Sequence, residues 1–294
     1  MPAHIKALEA SHFTTMLVSI SGELYTCGYN VHQLSNASMI QAQAGYTHIL
    51  TPTLVESLQD VHVAAVAASP TVMLVLSRAG DVHWGGWASS FIGLASMEVI
   101  FPHVGRDRVA VISAGGQDEY GHFLLATTSG CLFSWGDGSH GQLGLGTTTS
   151  HDSPQRVQTP GVMCFTSVAA GDYHSLGVAD GDVYSFGNCR GGVLGLGSPY
   201  ELKLVPTLVH IPTRMLSVAA GTISSLAQAT DGMVYGWGDG DTFKARQIHW
   251  HEENGLKIMT DNEADYLEHG AGYTHLPHLH LPEQHPHGPL RLYN

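Results

Sequence analysis

The sixteen residues CLFSWGDGSHGQLGLG at 131–146 constrain the fold more than any other stretch, because their parts return along the chain at a near-constant interval. They join a short apolar strand, an aromatic-Gly step and a Gly-Leu-Gly turn. The counterparts of Trp135-Gly136 are Cys27-Gly28, Trp84-Gly85, Phe186-Gly187 and Trp237-Gly238, so the glycines are spaced by 57, 51, 51 and 51 residues. A period of this size built from strands and tight turns implies a radial β architecture. One small sheet has two apolar faces and buries both only between copies of itself.

The fourth copy reads most plainly as four strands. FTSVAAG (165–171) ends in small residues that suit the crowded strand nearest a propeller axis, and HSLGVA (174–179) follows. Asp180-Gly181 then tolerates the positive φ of a two-residue hairpin turn, with DVYSFG (182–187) as the return strand. A Gly-rich loop leads to an outer strand opened by Pro206, where a missing amide proton does least harm. The same turn recurs as Ser21-Gly22, Ala79-Gly80, Ser129-Gly130 and Asp231-Gly232, and the proline as Pro52, Pro102, Pro154 and, for the fifth copy, Pro277. From repeat glycine to proline is 24, 17, 18, 19 and 39 residues, which predicts an insertion near 32–48 and a longer one at about 240–272. The pentamer AGYTH at 44–48 and 271–275 pairs those two regions.

The third copy, with Gly121-His122, FLLATTSG, CLFSWGDGSHGQLGLG and SPQRV, resembles the regulator-of-chromosome-condensation (RCC) repeat. The fourth and fifth follow in SVAAGDYHSLGVADGDVYSFG and SVAAGTISSLAQATDGMVYGWG. The resemblance covers about residues 5–281 and is diluted in the first two copies, where GQLGLG survives only as His32-Gln33-Leu34 and Ile92-Gly93-Leu94. His122 and His174 match the family's histidine before the second strand, while Thr14, Val72 and Ser224 replace it elsewhere. The expected fold is therefore all-β, a β-propeller of RCC-type repeats with five visible blades of about 51 residues. The resemblance implies seven blades in a closed ring, so five leave two readings: a small closed ring, or an incomplete seven-bladed one with a sheet edge to cover. The domain reading is a propeller over 1–281 and a His/Pro-rich tail at 282–294.

Composition narrows the function. With 12 Lys and Arg against 25 Asp and Glu, the formal charge is −13 and no basic run exists, which disfavours nucleic acid because non-specific affinity for phosphate comes from basic side chains. Cys27, Cys131, Cys164 and Cys189 show no CxxC spacing and read as small apolar residues of a reducing compartment. No apolar run is long enough to span a bilayer, and the first 22 residues match neither a signal peptide nor a transit peptide. The expected location is intracellular: cytoplasmic first, organellar after removal of a presequence second.

Chemistry-bearing motifs are sparse. GDGSHG at 136–141 satisfies GxGxxG, but a dinucleotide site needs a helix N-terminus after it, and another glycine turn follows instead. Among 20 histidines, His278 and His280 could share a strand face toward a metal, yet a solvated tail explains them as well. No nucleophile elbow or HExxH pair is present. Catalytic, cofactor and metal residues are therefore assigned to none. The acidic pair Asp118 and Glu119, and in the long insertion His249, Trp250, Glu252, Glu253, Asp261, Glu263 and Asp265, are the candidates for contacting a partner, since insertions of repeat proteins gather on one face. Gly28, Gly85, Trp135, Gly136, Gly187, Trp237 and Gly238 are assigned to the repeat's own structure.

The function this supports is a noncatalytic scaffold or subunit that docks through propeller loops onto a larger protein assembly. The alternative implied by the resemblance is a guanine-nucleotide exchange factor for a Ras-like small GTPase. That activity needs only loops that favour the nucleotide-free partner, and no residue for it can be carried over. The family's ultraviolet-B photoreceptor branch pairs clustered Trp with Arg. Here there are five Trp, three of them at the Trp-Gly step, and no recurring Trp-Arg motif.

Overall fold

Each copy's alternation of apolar and small residues folds as an antiparallel meander. The computed structural model describes residues 4–258 except 12–13, 30–47, 89–90, 102–106, 118–119, 160, 162, 199, 239–241 and 252–254, and within them five sheets stand as blades. Blade 1 holds β1 (Ile5–Ala10), β2 (Thr14–Ser19), β3 (Leu24–Tyr29) and β4 (His48–Leu54). Blade 2 holds β5 (Val63–Ala68), β6 (Val72–Ser77), β7 (Val82–Ala88) and β8 (Phe91–Phe101). Blade 3 holds β9 (Val109–Gln117), β10 (Tyr120–Thr127), β11 (Leu132–Gly136) and β12 (His151–Arg156). Blade 4 holds β13 (Phe165–Ala170), β14 (His174–Ala179), β15 (Asp182–Asn188) and β16 (Leu202–Val209). Blade 5 has five strands: β17 (Met215–Ala220), β18 (Ser224–Ala229), β19 (Val234–Gly238), β20 (Thr242–His251) and β21 (Gly255–Ile258).

The buried apolar side chains lie in the seams between successive blades. Leu74, Leu76 and Trp84 of blade 2 meet Ile112, Leu125 and Trp135 of blade 3. Leu176, Val178 and Val209 of blade 4 meet Met215, Tyr235 and Trp237 of blade 5. The inner strands pack in the series β1, β5, β9, β13, β17. Among the described residues β17 has no comparable packing on β1.

Three local features differ from the sequence reading. Only blade 4 has the two-residue turn, Asp180 taking φ 53 and Gly181 φ 88. In the other blades the turn holds three residues: Ser19, Ser77, Thr127 and Ala229 each donate to the carbonyl four residues on and accept from the turn glycine. That geometry is a type I turn closed by one left-handed residue, so glycine alone is needed. In blade 2 the repeat glycine is Gly86, which pairs with Val72 as Gly136 pairs with His122 and Gly187 with His174. The expected Gly85 pairs with Met73, one position early.

The fifth outer strand is the third difference. Residues 242–251 pair with β19, placing Ile248 opposite Val234, so the stretch expected as the start of an insertion is the outer strand itself and the Pro277 assignment is corrected. The outer strands β4, β12 and β16 carry Pro52, Pro154 and Pro206, whereas TFKARQIHWH has no proline. With every amide available on its outer edge, β20 accepts β21, Ile248 pairing with Ile258 and His251 with Gly255. Pro102, Pro277, both AGYTH segments apart from His48 and the tail at 282–294 lie outside the described residues.

Candidate interaction surface and family

The Gly-Leu-Gly loops work as straps between blades. The loop after β11 crosses onto blade 4, where Gly146 N donates to Leu204 O at 2.8 Å and a Cβ on Gly144 would fall 2.8 Å from the Phe186 ring. The loop after β15 crosses onto blade 5 in the same way, and a Cβ on Gly195 would fall 2.9 Å from Trp237 Nε1. The two halves of the motif therefore meet across a seam: the glycines of one copy's loop make room for the aromatic of the next copy. Each strap is tied back to its own blade by a buried serine, Ser134 Oγ donating to Leu143 O at 2.6 Å and Ser185 Oγ to Leu194 O at 2.8 Å.

A histidine completes each joint. His122 Nε2 lies 2.9 Å from Ser175 Oγ, and Ser175 donates to Gln142 O at 2.7 Å. His174 Nε2 lies 2.9 Å from Ser225 Oγ, and Ser225 donates to Val193 O at 2.8 Å. A hydroxyl has one proton, already committed to the carbonyl, so each imidazole must donate from Nε2, which leaves Nδ1 bare. Both Nδ1 atoms are buried without a partner. An imidazolium would strand a second N–H there, and burial lowers the pKa to about 4 for His122 and about 3 for His174. These histidines are neutral joints with no access to solvent, a structural role and not a catalytic one.

The strap loops offer rigid surface. The Asp137 carboxylate accepts from Ser139 N, Ser139 Oγ, Gln142 Nε2 and Ser150 Oγ, all within its own loop. His140 packs at a tilt of 50° against Tyr173, ring centroids 4.6 Å apart, and Tyr173 Oη donates to Gln117 Oε1 across the seam between blades 3 and 4. GDGSHG runs into β12 with no helix after it. Among the described residues no group of three His, Cys, Asp or Glu could hold a metal. No helix of the described residues is long and apolar enough to cross a membrane.

Of the predicted contact residues, His249 and Trp250 lie in β20 opposite Lys257 and Leu256. Asp118, Glu119, Glu252, Glu253, Asp261, Glu263 and Asp265 lie outside the described residues. The sequence reading missed an apolar edge on blade 4: Tyr200 is 90% exposed, and Leu202, Val205 and Leu208 are exposed along β16. Its signal was present in LKLVPTLV, which is apolar on both strand parities where the equivalent HDSPQR is polar.

Residues 129–178 and 180–228 match the family model "Regulator of chromosome condensation (RCC1) repeat". Each matched unit starts at a hairpin turn, runs through the third and outer strands and the strap, and ends on the second strand of the next blade. The unit repeated in sequence thus spans one seam. The chain is 28% identical over 198 residues to the ultraviolet-B receptor UVR8 of Arabidopsis thaliana, which covers 65% of this chain but only 44% of that receptor. Among solved structures, human WBSCR16 superposes with a TM-score of 0.70 at 21% identity, covering 85% of this chain and 69% of that one. Yeast RCC1 (Prp20), solved bound to Kap60, superposes at 0.66 with 24% identity over 81% of this chain and 57% of that one. It was also solved with a report of its binding to Gsp1p and histones. The superpositions show the propeller-type fold, and the two matched repeats make this chain a member of the RCC1 repeat family.

Proposed function

We propose that the chain is a noncatalytic protein-interaction scaffold that docks a larger protein through the outer edge of blade 4. One observation carries this reading: Tyr200, Leu202, Val205 and Leu208 are all exposed within nine residues at the outer strand of blade 4, on a protein of net charge −13. Exposed apolar residues gathered on one strand mark a contact site more often than a scattered exposed residue does. The straps hold that edge in place before binding, since Leu204 O is already bonded to the blade 3 loop, and preorganised surface loses less entropy on association. His249 and Trp250 of β20 and the acidic candidates at 252–265 belong to this reading as partner contacts. Yeast RCC1, seen with Kap60, shares the fold and binds proteins.

The test is affinity isolation of the tagged full chain from its native cells beside Val205→Asp/Leu208→Asp. A protein recovered stoichiometrically with the wild type and lost with the variant, whose Tm moves by no more than a few degrees, supports the scaffold. Equal recovery with both sinks it. A second reading, nucleotide exchange on a small GTPase, rests on the similarity to yeast RCC1 reported with Gsp1p binding. It predicts that the captured protein is a GTPase released by added GTP.

A further inference from the structure

Trp135 carries a buried polar atom that the fold leaves unanswered. At the seam of blades 4 and 5, Trp237 Nε1 donates to Val193 O, a strap carbonyl, at 2.7 Å. At the seam of blades 3 and 4 the aromatic is Phe186, which needs no acceptor, and the strap carbonyl of Gln142 serves Ser175 alone. Trp135 holds the same register position, opposite Phe123 as Trp237 is opposite Ser225. It is 1% exposed, and its Nε1 has no hydrogen-bond partner among the described residues. A donor left in that state forfeits its hydration with nothing in return.

The acceptor is missing because, among the described residues, blade 2 sends no strap forward. In place of a strap, Ala88 pairs with Phe91 and Gly86 with Leu94. This pairing is the least regular of its kind, with three register shifts where the equivalent strand pairs of the other blades have one. The sequence still holds the strap. Gln142 and Val193 each stand six residues after Gly136 and Gly187, the glycines that end the third strand of their blades, and six residues after Gly86 is Ile92, which opens Ile92-Gly93-Leu94.

We propose that Phe91–Leu94 exchange between their place in β8 and a strap across the seam of blades 2 and 3, in which the Ile92 carbonyl accepts the Trp135 Nε1 hydrogen bond. Two arrangements of one segment then compete: pairing along the outer edge of blade 2, or closure over Trp135.

The experiment is NMR of the indole N–H groups in the full chain, with Trp135 identified by Trp135→Phe. The expected result is a Trp135 indole proton shifted downfield toward that of Trp237, or split into two exchanging signals. Gly93→Val favours the strand and opposes a turn, so it moves this signal upfield and leaves Trp237 unchanged. A single Trp135 signal in the wild type, upfield of Trp237 and identical in Gly93→Val, overturns the proposal. The wild-type spectrum alone decides the matter should Gly93→Val fold poorly.

Discussion

Replacing Gly187 with alanine separates the two reasons for a glycine at the end of each third strand. Its φ is +106°, and an added Cβ would fall 2.5 Å from Tyr173 O and 2.8 Å from His174 Cα, both backbone atoms of β14 or its approach. The left-handed backbone alone costs about 1–2 kcal/mol for a residue with a Cβ. Relieving the contacts means parting β14 from β15, which weakens the Asn188 N to Tyr173 O bond of 2.9 Å and disturbs the buried His174 beside it. Losing one or two such bonds adds roughly 1–2 kcal/mol, for a total of about 2–4 kcal/mol. Gly146 is the control: φ is +81° and nothing lies within 4 Å of its added Cβ, so Gly146→Ala costs about 1–2 kcal/mol from backbone strain alone. Urea unfolding of both variants reads the difference. A Gly187→Ala cost within about 0.5 kcal/mol of Gly146→Ala refutes the close approach of β14 to β15 as the reason for that glycine.

The buried histidines predict a pH dependence. Their folded pKa values, about 4 and about 3, lie below the usual imidazole value, so the unfolded chain takes up protons the folded chain refuses. Their contribution is fully present above pH 6.5 and fades as pH falls toward 4 and 3, by up to about 1.4 kcal/mol per pH unit for each. Urea midpoints at pH 7 and pH 5 should differ less in His174→Gln than in the wild type, and an unchanged difference would show that His174 does not titrate this way. Ser225→Ala removes the hydroxyl between His174 and Val193 O and should cost about 1–3 kcal/mol, read by the Tm. Deleting residues 240–272 removes β20 and β21 and uncovers the edge of β19, so limited proteolysis should cut blade 5 while blades 3 and 4 resist.

The blade count and the strand order within a blade were legible because Trp135, Gly136, Gly187 and Trp237 recur with the turn glycines at fixed spacing. Blade 2 was misaligned by one residue because Gly85 and Gly86 are adjacent glycines and Trp84 looks like the aromatic of the step, while only the pairing of Val72 with Gly86 decides between them. The fifth outer strand was missed for a physical reason: the marker in use was a proline, and β20 lacks one because its edge is paired. The straps were visible as GQLGLG and GVLGLG, but their purpose was not, since the partner of each glycine is an aromatic about 42 residues later, as from Gly144 to Phe186 and from Gly195 to Trp237. The apolar edge of β16 was passed over because a strand apolar on both parities reads as buried, and only the arrangement of blades shows that it faces outward.

The claim that ties these observations together is that each strap is completed by the aromatic of the following blade. A double-mutant cycle between Gly195→Ala and Trp237→Phe tests it directly. In the wild type the added Cβ meets Trp237 Nε1 at 2.9 Å and Cδ1 at 3.0 Å, and the smaller phenyl ring takes that contact away. Gly195→Ala should therefore cost at least about 1 kcal/mol less in the Trp237→Phe background than in the wild type, measured by urea unfolding. Costs that add within about 0.3–0.5 kcal/mol would mean that the two residues do not meet, and the interlocking of successive blades would be wrong.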